Sequence, residues 1–323
     1  MIRTMLRMVF AAAALLAAAP LAQAADWPTR PVKLLIPFSA GGTADTLGRI
    51  VSQKLSIMFG QEFICENKTG ASGLIAAAEA ANATPDGYTL FVSGVGGLIV
   101  ASAISPKPPA DVVNGYTHIA LFGGPPSVLV INNEVPAKNL KEFVDYAKAN
   151  PGKLNYGSPS IGSLANLAFE VFQKQTGIEL QSVSYRGASQ AMTDLIGGHI
   201  AVTSTALTSA AGTIAGGRVR ALAVTARKRV QDYPNIPTYG EQGYPDMVSD
   251  VWFALSGPKG IPPEIVNKLN EGVRKALQMP DVVKRLRHDA IDPELYDAPG
   301  FAAFVKSENA RWTPIARAAI GKK

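Results

Sequence analysis

The chain has 323 residues, of which 47% are hydrophobic and 17% charged, a balance that can bury a core and excludes an intrinsically disordered protein. Its single Cys cannot close an intrachain disulfide, and with only three His it cannot supply a His/Cys metal cluster, so no metal is expected. A formal charge of +6 would suit a polyanion partner, but only if the excess sits in the folded part of the chain.

Residues 1–24 open with Arg3 and Arg7, continue through an Ala-rich apolar run at 8–19 and end on Leu21-Ala22-Gln23-Ala24, the cleavage pattern of a secretory signal peptide. The run is shorter than the ~20 strongly apolar residues a membrane span prefers, so export with cleavage near Ala24 and Ala25 is expected. Arg3 and Arg7 are the only charged residues removed, which leaves 29 basic and 25 acidic residues, a formal +4. So small an excess calls for no nucleic-acid partner. One unpaired Cys in an oxidising compartment fits a monomer held together by its core alone.

Strands and helices then alternate. Val32-Lys33-Leu34-Leu35-Ile36-Pro37-Phe38 has the continuous apolar character of a buried strand and is followed by the turn Ser39-Ala40-Gly41-Gly42-Thr43-Ala44-Asp45. Leu47, Ile50, Val51, Leu55 and Met58 fall at helical spacing, with Gly60 at the helix end. The unit repeats: a strand at 63–66, a helix at 74–81, the turn Pro85-Asp86-Gly87, and a strand at 88–92 ending in Ser93-Gly94-Val95-Gly96-Gly97. After a proline-rich loop, an apolar run at 118–122 meets Gly123-Gly124-Pro125-Pro126 and resumes at 127–131, the pattern of a crossing between lobes. Beyond it, Asn139 caps a helix carrying Leu140, Phe143, Val144 and Ala147. A strand at 154–156 leads through Gly157-Ser158-Pro159-Ser160-Ile161-Gly162-Ser163 into a helix with Leu164, Leu167, Ala168, Val171 and Phe172. Strands at 180–185, 199–204 and 219–225 and a helix at 189–196 follow. A return segment with Pro234, Pro237 and Pro245 precedes a strand at 251–255, a helix at 263–277 and a charged helical tail around His288.

This alternation predicts an α/β fold of two lobes joined by two crossings, each lobe a mainly parallel sheet flanked by helices. Lobe one would comprise 25–124 and 250–323, and lobe two 125–249 with the return segment. Open α/β sheets place ligands at the carboxyl ends of their strands. Two turns there, Ser39 to Thr43 and Ser158 to Ser163, each open a helix and offer N–H groups and hydroxyls at a helix end that carries roughly half a positive charge. Facing each other across a cleft, they would hold an anion with a negative group at each end, such as a small dicarboxylate. The alternative is that they serve only as tight turns and N-caps. Arg186, at another strand end, could pair with a carboxylate or with a surface acid. Asp45 is expected to favour its helix dipole or to brace the glycine turn.

Nucleotide fingerprints fail: Gly94-Val95-Gly96-Gly97 lacks the third Gly of the dinucleotide motif and no phosphate-loop run exists, so no cofactor is expected. The run around Ser160 has one residue too many for a nucleophile elbow, and His118, His199 and His288 fit structural or solvated roles. Nothing here assembles a hydrolytic triad, and the chain is not expected to be an enzyme.

Trp27-Pro28-Thr29-Arg30-Pro31-Val32, Pro85-Asp86-Gly87-Tyr88-Thr89-Leu90, Asp194-Leu195-Ile196-Gly197-Gly198 and Pro234-Asn235-Ile236-Pro237-Thr238 together resemble the Bug family, the extracytoplasmic solute receptors of tripartite tricarboxylate transporters. The resemblance covers nearly the whole mature chain. It implies a two-lobed, type II-like periplasmic binding protein that closes over a small organic acid, a mono- or dicarboxylate, and delivers it to integral membrane permease subunits. It also implies ligand loops at Ser39, Ala40, Gly41, Gly42, Thr43 and Asp45; at Ser93, Gly94 and Gly96; at Ser158, Ser160, Gly162 and Ser163; at Arg186 and Gly187; and, after His199, at Thr203 and Ser204. The sequence departs from the family pattern at Ser39-Ala40, where Pro-Pro is common, and at Asn166, where His is common. Two further readings stay open at this level: a secreted hydrolase or isomerase using the same cleft, and a sensor that presents the bound acid to a signalling partner.

Overall fold

Val32, Leu34 and Ile36 face one apolar cluster and Leu35 faces another, so the continuous apolar run is a strand covered by helices on both sides. The computed structural model describes residues 27–158, 164–185, 187–249, 251–291 and 293–320; the expected signal peptide lies outside them. In chain order, β1 (Val32–Ile36), α1 (Thr43–Phe59), β2 (Phe63–Asn67), α2 (Leu74–Ala81) and β3 (Thr89–Gly94) lead into a π-helical turn (Val95–Val100), the short α3 (Ala101–Ile104) and β4 (Tyr116–Gly123). After a crossing come β5 (Ser127–Asn132), α4 (Leu140–Ala149), β6 (Asn155–Ser158), α5 (Leu164–Thr176), β7 (Gln181–Ser184), α6 (Ala188–Ile196), β8 (Val202–Ala206), α7 (Leu207–Ala215) and β9 (Val219–Val224). The chain crosses back to β10 (Phe253–Pro258) and ends in α8 (Pro263–Leu277), α9 (Pro280–His288) and α10 (Ala298–Ile320).

Two five-stranded sheets result, ordered β2-β1-β3-β10-β4 and β7-β6-β8-β5-β9. The two lobes follow the same plan, with one refinement of the parallel expectation: β10 runs antiparallel between β3 and β4, and β5 antiparallel between β8 and β9. Each reversed strand is the first after a crossing, so it enters its sheet at the crossing end and runs away from it. The other strands therefore all point their carboxyl ends towards the crossings, which is where an open α/β sheet presents its ligand loops.

The crossings touch backbone to backbone. A Cβ on Gly124 would stand 1.7 Å from the carbonyl oxygen of Val251, and the N–H of Val251 donates to the carbonyl of Pro125 at 3.2 Å. Glycine at 124 is thus a steric requirement of the double crossing. The return crossing is anchored to α10, where Glu308 accepts the indole N–H groups of Trp252 (2.9 Å) and Trp312 (3.1 Å). A second bond between lobes is apolar: Leu164 and Leu167 of α5 are buried in the lobe-one cluster that holds Leu98, Phe301 and Trp312.

Beyond the single-turn α3, two helices escape the sequence pattern. In α7 only Leu207 and Ala210 are buried and the rest is small or polar, so its apolar periodicity is weak. Helix α10 carries Pro314 in its interior, a residue that argues against a helix when read locally.

Candidate functional site

Strand β1 delivers the chain into the glycine turn. Gly41 has φ +83°, the left-handed region that favours glycine, whereas Gly42 is extended at φ −79° and ψ 170° and forms the N-cap of α1 without a side-chain capping bond. Asp45, buried in the first turn, holds this geometry. Its carboxylate accepts from the Gly41 N–H (2.9 Å), the Arg49 Nε (3.0 Å) and the Asn67 Nδ2 (2.9 Å), and Asn67 also donates to the Phe38 carbonyl at 2.9 Å. The Arg49 guanidinium, helped by the Gly41 N–H and Asn67 and opposed by burial, lowers the Asp45 carboxyl to about 2. Asp45 is therefore an ionised brace whose bonds are spent inside lobe one.

The first turn of α1 opens onto a cavity of about 290 Å³. Lobe one contributes Gly41, Gly42, Thr43 and Thr46; lobe two contributes Thr208 and Ser209 from the start of α7. Neither helix has a side-chain cap, since α7 begins after Ala206, so two open helix N-termini, one from each lobe, meet at one cavity. The hydroxyls of Thr43, Thr46, Thr208 and Ser209 make no hydrogen bond among the described residues. Leu47 of α1 and Arg285, Asp289 and Ile291, at and beyond the end of α9, complete the lining. Such a site offers N–H and O–H donors in excess, and it suits a small anion.

The model of the tripartite tricarboxylate transporter family receptors matches residues 47–320. The chain belongs to this family. The receptor is 32% identical over 301 residues to the protein BugT of Bordetella pertussis, covering 93% of this chain and 92% of BugT. An R. palustris protein solved with adipate superposes with a TM-score of 0.82 at 32% identity, over 90% of this chain and 97% of that one. MatC of Rhodopseudomonas palustris, solved with bound malate, gives 0.79 at 30% identity, over 90% and 100%.

The receptor distributes the expected site residues unevenly. Gly41, Gly42 and Thr43 line the cavity, and Ser39 and Ala40 are exposed on the turn before it. Ser93 is buried within the first sheet, 2.7 Å from the Ser256 hydroxyl, which in turn lies 3.3 Å from His118 Nδ1. His118 is itself buried, with Nε2 3.0 Å from the Val112 carbonyl, and burial lowers its pKa. Gly94 serves the return crossing, because a Cβ there would meet the Trp252 carbonyl oxygen at 2.8 Å; Gly96 sits in the π-helical turn with open space beside it. Ser158 is buried and donates to Asn166 Oδ1 at 2.6 Å, while Thr203 donates to the Gly157 carbonyl at 2.6 Å and Ser204 is buried in β8. Gly187 is the N-cap of α6. Ser160, Gly162, Ser163 and Arg186 lie outside the described residues. Sequence reasoning did not single out the lining residues Thr46, Thr208, Ser209, Arg285 and Asp289. For Thr208 and Ser209 only half of the signal that found Thr43 is present: the strand before them is legible, but the helix they open is not.

Proposed function

We propose that this receptor is exported to the periplasm, captures a small organic acid, mono- or dicarboxylate, between its lobes, and delivers it to the integral membrane permease of a tripartite tricarboxylate transporter. The observation that carries this reading is the cavity where the open N-termini of α1 and α7, one from each lobe, meet four hydroxyls that make no hydrogen bond among the described residues. A carboxylate bridging both helix ends interacts more strongly with the lobes together than apart, which is the differential affinity that closure requires. Residues 25–124 with 250–323 and residues 125–249 act as the two closing bodies, pivoting where Gly124 meets Val251. The adipate and malate seen in related structures support a carboxylate as the ligand class.

The test is a thermal-shift screen of the mature protein against linear and branched mono- and dicarboxylates, followed by calorimetry on the hits. A true ligand at 100 times its Kd stabilises by ~2.7 kcal/mol. Stabilisation by no carboxylate would refute the ligand class, and ligand-independent recovery of the permease in a pull-down would argue against delivery of a captured acid.

A further inference from the structure

We propose that Arg285 is the specificity-determining residue of the cavity: it reads a second anionic group on the ligand and makes the receptor prefer diacids to monoacids. The inference rests on the carboxylate reading above and adds to it a residue from outside the turns.

The two helix ends together supply roughly one positive charge, which one carboxylate balances. A second carboxylate in the same cavity needs strong donors beyond the helix ends, and Arg285 is the cationic side chain among the described lining residues; Asp289 offsets its net charge, so what it offers the ligand is its remaining charge-assisted N–H donors. Its Nε donates to Asp289 Oδ2 at 2.7 Å. The two Nη groups have no partner among the described residues, so four of the five guanidinium N–H donors remain for a ligand. Asp289 thereby fixes the guanidinium plane without consuming the edge that recognises carboxylates in a forked, two-bond geometry.

The backbone places this pair on the seam between the lobes. At the end of α9 the Asp289 N–H donates to the Arg285 carbonyl, Ala290 takes φ +55°, and the Ile291 N–H reaches back to the Leu286 carbonyl at 2.8 Å. The turn sends Ala290 into the apolar cluster of lobe two and Ile291 into that of lobe one. The segment carrying Arg285 and Asp289 is thus pinned to both lobes when they are together, and the guanidinium is held in place as the cavity forms. A lysine, with one compact ammonium, could supply the charge but could not bond Asp289 through one edge and a carboxylate through the other.

The test is isothermal titration calorimetry with carbon-matched pairs, succinate against butyrate, glutarate against pentanoate and adipate against hexanoate, on the wild type, Arg285→Gln and Arg285→Lys. Arg285 is half exposed, so the variants should fold; thermal melts check this. The wild type is expected to favour the best diacid over its matched monoacid. Arg285→Gln should cut diacid affinity about 10- to 100-fold, as for loss of a charge-assisted contact, with monoacid affinity changed by less than about 3-fold. Arg285→Lys should fall between. Equal weakening of both acids, an unchanged diacid preference in Arg285→Gln, or a wild type that favours monoacids would each overturn the role of Arg285 while leaving a carboxylate receptor standing. A wild type that binds no carboxylate would overturn the parent reading, and this one with it.

Discussion

Replacing Asp45 by Asn keeps the shape of the side chain and removes the charge on which the glycine turn is built. In the folded protein the Asp45 carboxyl is lowered from 3.8 to about 2. At ~1.4 kcal/mol per unit, that difference corresponds to ~2.5 kcal/mol of stability at neutral pH. The Asp45 side chain is only 5% exposed but its partner Arg49 is 51% exposed, so solvent screening makes this an upper figure. The sign follows from the depressed folded-state value: the contribution is complete above the unfolded pKa and is lost as pH falls through the folded one. Urea unfolding of the wild type and Asp45→Asn should therefore differ by up to ~2.5 kcal/mol at pH 7 and by about half as much at pH 3. Ligand affinity should fall too, because the Gly41 N–H loses its anionic acceptor and Arg49 keeps only the Asn67 Oδ1 contact at 3.0 Å. A difference that is absent at pH 7, or the same size at pH 7 and pH 3, would refute the claim that an ionised Asp45 braces the turn.

Gly42→Val separates ligand binding from folding: Gly42 has an ordinary extended backbone and its added Cβ would meet only the Ser39 carbonyl at 3.5 Å, so melting should be unchanged while carboxylate binding is lost to the side chain filling the cavity. Unaltered affinity in calorimetry would place the ligand elsewhere. Gly124→Ala should destabilise by ~3 kcal/mol or more in denaturant unfolding, because its methyl collides with a backbone carbonyl that cannot swing aside, whereas Gly212→Ala, with open space around it in α7, should be neutral or stabilising by up to ~1 kcal/mol. Leu167→Ala should cost ~2–4 kcal/mol and weaken ligand binding as well, since the cavity it leaves lies in the apolar contact between lobes. Loss of stability with full ligand affinity would show that this contact persists in the open form.

What the sequence determined by itself is local. Both-face burial of β1, the left-handed Gly41 and the acid in the first turn of α1 follow from neighbours within a few positions, and Asp45 finds Gly41 and Arg49 four residues to either side. The alternation of strand and helix and the Gly-Gly-Pro-Pro crossing were legible for the same reason, as was a structural role for His118. The tertiary structure alone decided what depends on chain segments far apart. Insertion of β10 beside β3 pairs Phe253 with Gly94, and it turns Ser93 and Gly94 from loop candidates into parts of a strand contact. Helix α7 lacks a strong apolar stripe because few of its side chains are buried, so its start was hidden, and with it Thr208 and Ser209. In the sequence Arg285 is one of several charges in the helical tail around His288. Its place at the cavity comes from the turn after α9, which sends adjacent residues into the cores of different lobes, and no spacing within that segment encodes where those cores lie.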